Sequence, residues 1–124
     1  MKLSCIRPEV DIRLKNGVYV FLCDSSTGKT YLASILKKME YVDNVISFSY
    51  SDSEANLITM NRCIGKSVVM FDRYDLYAGK YIDIINKIKD SSIVLMDYKF
   101  TSNFNLCMKD CIIELESNSI EVFE

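Results

Sequence analysis

The sequence predicts an α/β fold: a mostly parallel five-stranded sheet with helices on both faces in a three-layer α/β/α arrangement, closed by a C-terminal β-hairpin. Three observations carry this expectation. Near-continuous apolar runs, rich in β-branched residues, recur at residues 18–22 (VYVFL), 45–48 (VISF), 68–71 (VVMF), 93–96 (IVLM) and 112–115 (IIEL), as in strands buried on both faces. Between the first four runs, apolar residues return every three or four positions, the period of one helix face. Such alternation of strand and helix is met by parallel strands joined through right-handed crossovers.

Taken in order, residues 11–15 read as an extended piece that turns at Asn16 and Gly17 into the first core strand. After that strand, Tyr31, Leu32, Ile35, Leu36 and Met39 share one helix face. Ser51 and Glu54 make a capping-box pattern ahead of Ala55, Leu57, Ile58 and Ile64, the second helix. Tyr77, Tyr81, Ile84, Ile85 and Ile88 define the third, with Gly79 inside it at a cost of about 1 kcal/mol relative to alanine. Residues 115–122 (LESNSIEV) hold two short strand-like pieces around Ser117, Asn118 and Ser119, the signature of a terminal hairpin. With no repeat, linker or low-complexity tract, residues 1–124 read as one domain. A chain of this length buries roughly two thirds of its unfolded surface and needs no metal or disulfide staple.

Composition narrows the function. Fifteen basic against seventeen acidic residues give a net charge of −2 and a pI near 5.2, without the basic footprint of a nucleic-acid binder. The chain has no histidine, which removes Ser-His-Asp and Cys-His nucleophiles and histidine-ligated metals. Cys5, Cys23, Cys63, Cys107 and Cys111 are scattered among apolar residues, and Cys107 and Cys111 lack a second ligand pair for zinc. No secretory signal or twenty-residue apolar span is present, so the expectation is a cytoplasmic protein with reduced thiols.

The stretch with chemical content is CDSSTGKT, residues 23–30, directly after the first apolar run and directly before a helix. A phosphate chain is held compactly by backbone N–H groups at a helix start, where unpaired donors and the helix dipole meet the anion. The loop therefore sits where phosphate binding requires it.

This junction resembles the Walker A loop, G-x-x-x-x-G-K-[ST], of the P-loop NTPases. Gly28, Lys29 and Thr30 match its last three positions, and Cys23 stands where the family has its first glycine. The resemblance implies a P-loop fold and a phosphate-binding segment of Asp24, Ser25, Ser26, Thr27, Gly28, Lys29, Thr30 and Tyr31. It also implies ATP or another nucleoside triphosphate as ligand, with Lys29 on the β- and γ-phosphates and the Thr30 hydroxyl on Mg2+. A side chain at the first glycine position costs on the order of 1–2 kcal/mol in a left-handed turn, small beside the amide contacts and lysine charge that remain.

The run SVVMFD places Asp72 at the end of a strand, similar to the Walker B aspartate that backs the magnesium ion, which makes Thr30 and Asp72 the metal pair. Many such ATPases follow that aspartate with a glutamate; here Arg73 follows, and Glu54, just past the second strand, is the substitute water-positioning carboxylate. Lys29, Asp72 and Glu54 are thus the catalytic set the resemblance implies. Asp97 ends the strand IVLM, and Thr101, Ser102 or Asn103 behind it are candidates to sense the γ-phosphate. Arg73 and Lys99 are candidates to pair with phosphate or with Asp75. In style the chain is similar to a minimal ABC/AAA-type ATPase core, without an LSGGQ-like signature or helical insertion, working with a protein partner or a second copy.

Two other readings stand beside this one. FDRYDLYAGKY, residues 71–81, is similar to the DRY segment of thymidylate kinases, although the Arg-rich lid of those enzymes has no counterpart. A non-catalytic interaction domain with a decayed loop is the third. Strand order separates the two enzymes: the run at 93–96 lies between those at 18–22 and 68–71 in additional-strand ATPases, whereas the latter two are neighbours in nucleotide kinases.

Overall fold

Segments apolar at nearly every position require cover on both faces, and three meet that condition: β4 (Val45–Phe48), in which Ser47 is the one polar residue, β5 (Val68–Phe71) and β6 (Ile93–Met96), each buried throughout. The computed structural model describes residues 2–3, 9–21, 29–74, 80–97, 108–115 and 118–124. Its other strands are β1 (Lys2–Leu3), β2 (Glu9–Arg13), β3 (Gly17–Phe21), β7 (Lys109–Leu115) and β8 (Ser119–Phe123).

The expected five-stranded, mostly parallel, three-layer α/β/α fold is not what forms. All eight strands join one mixed sheet in the order β1-β2-β8-β7-β3-β6-β5-β4, curled into a half-barrel. Pairing is parallel from β4 through β5, β6 and β3 to β7, antiparallel from β7 to β8, parallel from β8 to β2 and antiparallel from β2 to β1. The difference has a physical origin. Strands β2 and β8 alternate buried and part-exposed residues, with Val10, Ile12, Ile120 and Val122 inward and Asp11, Arg13 and Glu121 on the other side. Such one-sided strands leave no continuous apolar run, yet they extend the sheet by main-chain pairing as fully as buried ones do. Right-handed twist accumulated over eight strands then curls the surface.

The turn expected at Asn16 and Gly17 does not close a hairpin either. Strand β2 bypasses β3 and pairs with β8, Val10 opposite Ile120 and Ile12 opposite Val122. Gly17, at φ 151°, instead donates its N–H to the Ser92 carbonyl at 3.1 Å, tying the start of β3 to the start of β6. The expected C-terminal antiparallel strand pair does form, β7 with β8, Leu115 opposite Ile120, but it lies inside the sheet, between β3 and β2.

Among the described residues, four short helices cover the sheet: α1 (Lys29–Met39), α2 (Tyr50–Glu54), α3 (Met60–Cys63) and α4 (Ile82–Ile88). Leu32, Ala33, Ile35, Leu36 and Met39 of α1 pack with Tyr19, Phe21, Val45, Met70 and Leu95 on one face, whereas Tyr31 is 47% exposed and leaves the expected stripe. On the other face, Cys63 of α3 and Ile85 and Ile88 of α4 pack with Phe48, Phe71 and Met96. Burial pushes the Cys63 thiol up to about 11 and the Cys111 thiol up to about 12, so both are unreactive packing residues.

The expected second helix splits in two. Asn56 adopts φ 56°, and the Leu57 N–H reaches the Asp52 carbonyl at 2.9 Å while the Asn56 N–H reaches that of Ser53 at 3.1 Å, the hydrogen bonds of a Schellman stop. Asparagine tolerates the left-handed turn, so α2 ends there, leaving Ile58 buried but Leu57 and Ile64 exposed. Its cap is not Ser51 and Glu54. Asp52 accepts the Ser49 N–H at 2.9 Å and the Lys37 ammonium at 3.0 Å, which links α1 to α2.

Desolvation would raise the Asp52 carboxyl, but the Ser49 amide and the Lys37 ammonium outweigh it and hold Asp52 below the ordinary carboxylate range. The resulting stability is present above the unfolded value, near pH 4, and is lost as pH falls through the lowered folded value. Asp52→Ala is expected to cost about 1 kcal/mol at neutral pH and to flatten the acid limb of the stability curve, measured by urea unfolding between pH 2 and 7. Among the described residues, no helix is long and apolar enough to cross a membrane.

Candidate functional site

Parallel strands bring their carboxyl ends to one edge, where open α/β sheets receive ligands. Here that edge carries Ser49 after β4, Asp72 after β5, Asp97 after β6 and the start of α1, the helix that follows β3. Strand β6 pairs with β3 on one side and β5 on the other, the order of the additional-strand ATPases; the β3–β5 adjacency of nucleotide kinases is not found.

Main-chain bonds lock the strand ends together. The Asp72 N–H donates to the Phe48 carbonyl at 2.8 Å, the Asp97 N–H to that of Phe71 at 3.1 Å, and the Tyr74 N–H to the Asp97 carbonyl at 2.8 Å. Between Asp72 and Tyr74 the chain reverses through Arg73 at φ 54°, a left-handed conformation that costs a non-glycine residue on the order of 1 kcal/mol. That reversal carries the Tyr74 amide across to β6.

Helix α1 starts at Lys29, and its ammonium lies 3.4 Å from an Asp97 carboxylate oxygen, with side chains only 6% and 8% exposed. One residue on, exposed Thr30 lines a small groove of about 150 Å³ together with Ala33, Ser34 and Lys37 of α1, Ser47, Phe48 and Ser49 of β4 and its end, and Asp72. The structure therefore brings Thr30 and Asp72 together, with Lys29 beside them at the helix start.

The remaining nominated residues fall elsewhere. Tyr31 is exposed and does not line the groove. Glu54 is exposed at the end of α2 and does not line it either. Cys23, Asp24, Ser25, Ser26, Thr27, Gly28, Asp75, Lys99, Thr101, Ser102 and Asn103 lie outside the described residues.

The sequence reading assigned no partner to Lys29. Only the place of Asp97 at a strand end was legible, because an apolar run ending in an acid, IVLMD, repeats the form of VVMFD. Ser34 and Lys37 were legible too, lying four and seven positions after Thr30 on one polar helix stripe.

A larger groove, about 440 Å³, opens at the amino ends of β4 and β5 between Glu40, Asn44, Arg62 and Lys66. Three of its polar side chains already serve the fold: Glu40 accepts the Ser47 N–H, Asn44 donates to the Gly65 carbonyl and Arg62 to that of Leu57. The smaller groove is the better candidate, because a hydroxyl and a carboxylate share it at a helix start, while the Lys29 ammonium, one residue before Thr30, is paired with Asp97 and does not line it. Hydroxyl and carboxylate oxygens suit a hard divalent cation, and a buried ammonium suits an anion. Comparison of the chain with known protein families, with curated proteins and with solved structures finds no match.

Proposed function

We propose that this protein binds a nucleoside triphosphate, ATP first among them, with Mg2+, at the carboxyl ends of β3, β5 and β6. The observation that carries the reading is the shared groove of Thr30 and Asp72, one residue along from Lys29 at the start of α1. The Walker-type resemblance pairs Thr30 and Asp72 as metal donors, and their shared groove supports that reading.

In this reading Lys29 binds the β- and γ-phosphates, and the amides of residues 24–28 cradle the chain. Thr30 and Asp72 hold Mg2+, and their oxygen donors fit an ion that keeps several waters and takes the rest of its shell from phosphate. When bound, the ion supplies charge that offsets the phosphate oxygens. The proposal is binding, not turnover. Hydrolysis also needs a group set to orient water, and Glu54, nominated for that role, does not line the groove. A cytoplasmic location belongs to the same proposal.

At a hundredfold excess over Kd, Mg-ATP is expected to add about 2.7 kcal/mol of stability, read as a rise in Tm in dye-based thermal unfolding. No shift with ATP, ADP or GTP would remove the proposal and leave an interaction domain.

A further inference from the structure

We propose that Asp97 is the resting partner of Lys29: a carboxylate that holds the ammonium in the free protein and must give it up when a phosphate chain binds. This inference rests on the nucleotide-binding reading and deepens it, since it predicts which ligands feel Asp97. Those bearing phosphate do; a bare nucleoside does not.

The geometry points to a held lysine. At 3.4 Å from Asp97, with both side chains nearly excluded from water, the ammonium has its counter-charge inside the protein. A buried cation with no such partner would be strongly destabilising. Asp97 is itself fixed, because its N–H donates to Phe71 and its carbonyl accepts from Tyr74, so the carboxylate is set at the end of β6 by the turn after β5. The two strand-end acids thus divide the work: Asp72 shares a groove with Thr30, and Asp97 takes Lys29.

Phosphate binding then becomes an exchange of one anion for another at Lys29. The lysine keeps a counter-charge throughout, whereas Asp97 loses its own, and that loss lowers the ligand's net affinity. Removing the Asp97 charge removes the competitor.

The test is a set of affinities on the full chain for Mg-ATP, Mg-tripolyphosphate and adenosine, in wild type, Asp97→Asn and Asp97→Ser. Asp97→Asn is expected to bind both phosphate ligands about tenfold more tightly than wild type and adenosine no more tightly. In a Lys29→Ala background the same change is expected to add nothing, since the competition needs both partners. The neutral variants leave an ammonium buried, so their Tm should fall without ligand and recover with Mg-tripolyphosphate by more than the wild-type shift. Asp97→Ser, with room for water at the ammonium, serves if Asp97→Asn does not fold. Unchanged or weaker phosphate binding in the variants, or an equal gain for adenosine, would overturn the inference while wild-type binding leaves the nucleotide reading intact. Absence of binding in every protein would take down both.

Discussion

Lys29→Met is expected to lower the unfolding free energy by roughly 3–5 kcal/mol, the cost of leaving Asp97 charged and unpaired at a nearly dry strand end. The size follows from asymmetry. A buried ion pair gains little net stability, because desolvation offsets most of the Coulomb attraction, but removing one partner leaves the full penalty of the other. Lys29→Met with Asp97→Leu removes both charges and is therefore expected to recover most of the loss. Urea unfolding of the two single variants and the double variant checks this. A loss below about 1 kcal/mol in Lys29→Met would mean that water reaches Asp97 and that the pair is not held as described.

Leu36→Ala is expected to cost roughly 2–5 kcal/mol. Leu36 is fully buried on α1, in the layer that packs against Tyr19, Met70 and Leu95, and a helix anchored along its length has little freedom to close the void. The urea midpoint should fall with the slope unchanged. Tyr31→Ala on the same helix should stay within about 0.5 kcal/mol, because Tyr31 is 47% exposed. Equal costs at the two positions would mean that α1 is rotated from the orientation described. Since α1 carries both Lys29 and Thr30, that orientation also positions the candidate site.

What the sequence revealed, and what it hid, follows from how each element is covered. Strands β4, β5 and β6 occupy the residues their apolar runs mark, because cover on both faces leaves room for only one polar residue among their twelve, Ser47. Strands β2 and β8 showed only as an extended piece and one arm of a hairpin, since one of their faces is polar, and their parallel pairing with each other, which sets the size and mixed direction of the sheet, left no local mark. The break between α2 and α3 depends on one asparagine in a left-handed turn, for which the surrounding apolar spacing gives no sign. At the candidate site, Lys29 and Thr30 were nominated from a loop pattern and Asp72 from its place at the end of an apolar run, and the groove that Thr30 and Asp72 share is what the structure adds. The pairing of Lys29 with Asp97 was not legible, since it joins residues 68 positions apart (97 − 29) through a strand order that no local pattern encodes.

The central claim is that Lys29 holds a triphosphate at the start of α1. Calorimetric titration of the wild type and of Lys29→Met with Mg-ATP tests it most directly, in a temperature range where both are folded. Saturable one-to-one binding by the wild type, lost in Lys29→Met, is the predicted result. No binding by the wild type, or equal affinity in the two proteins, would contradict it.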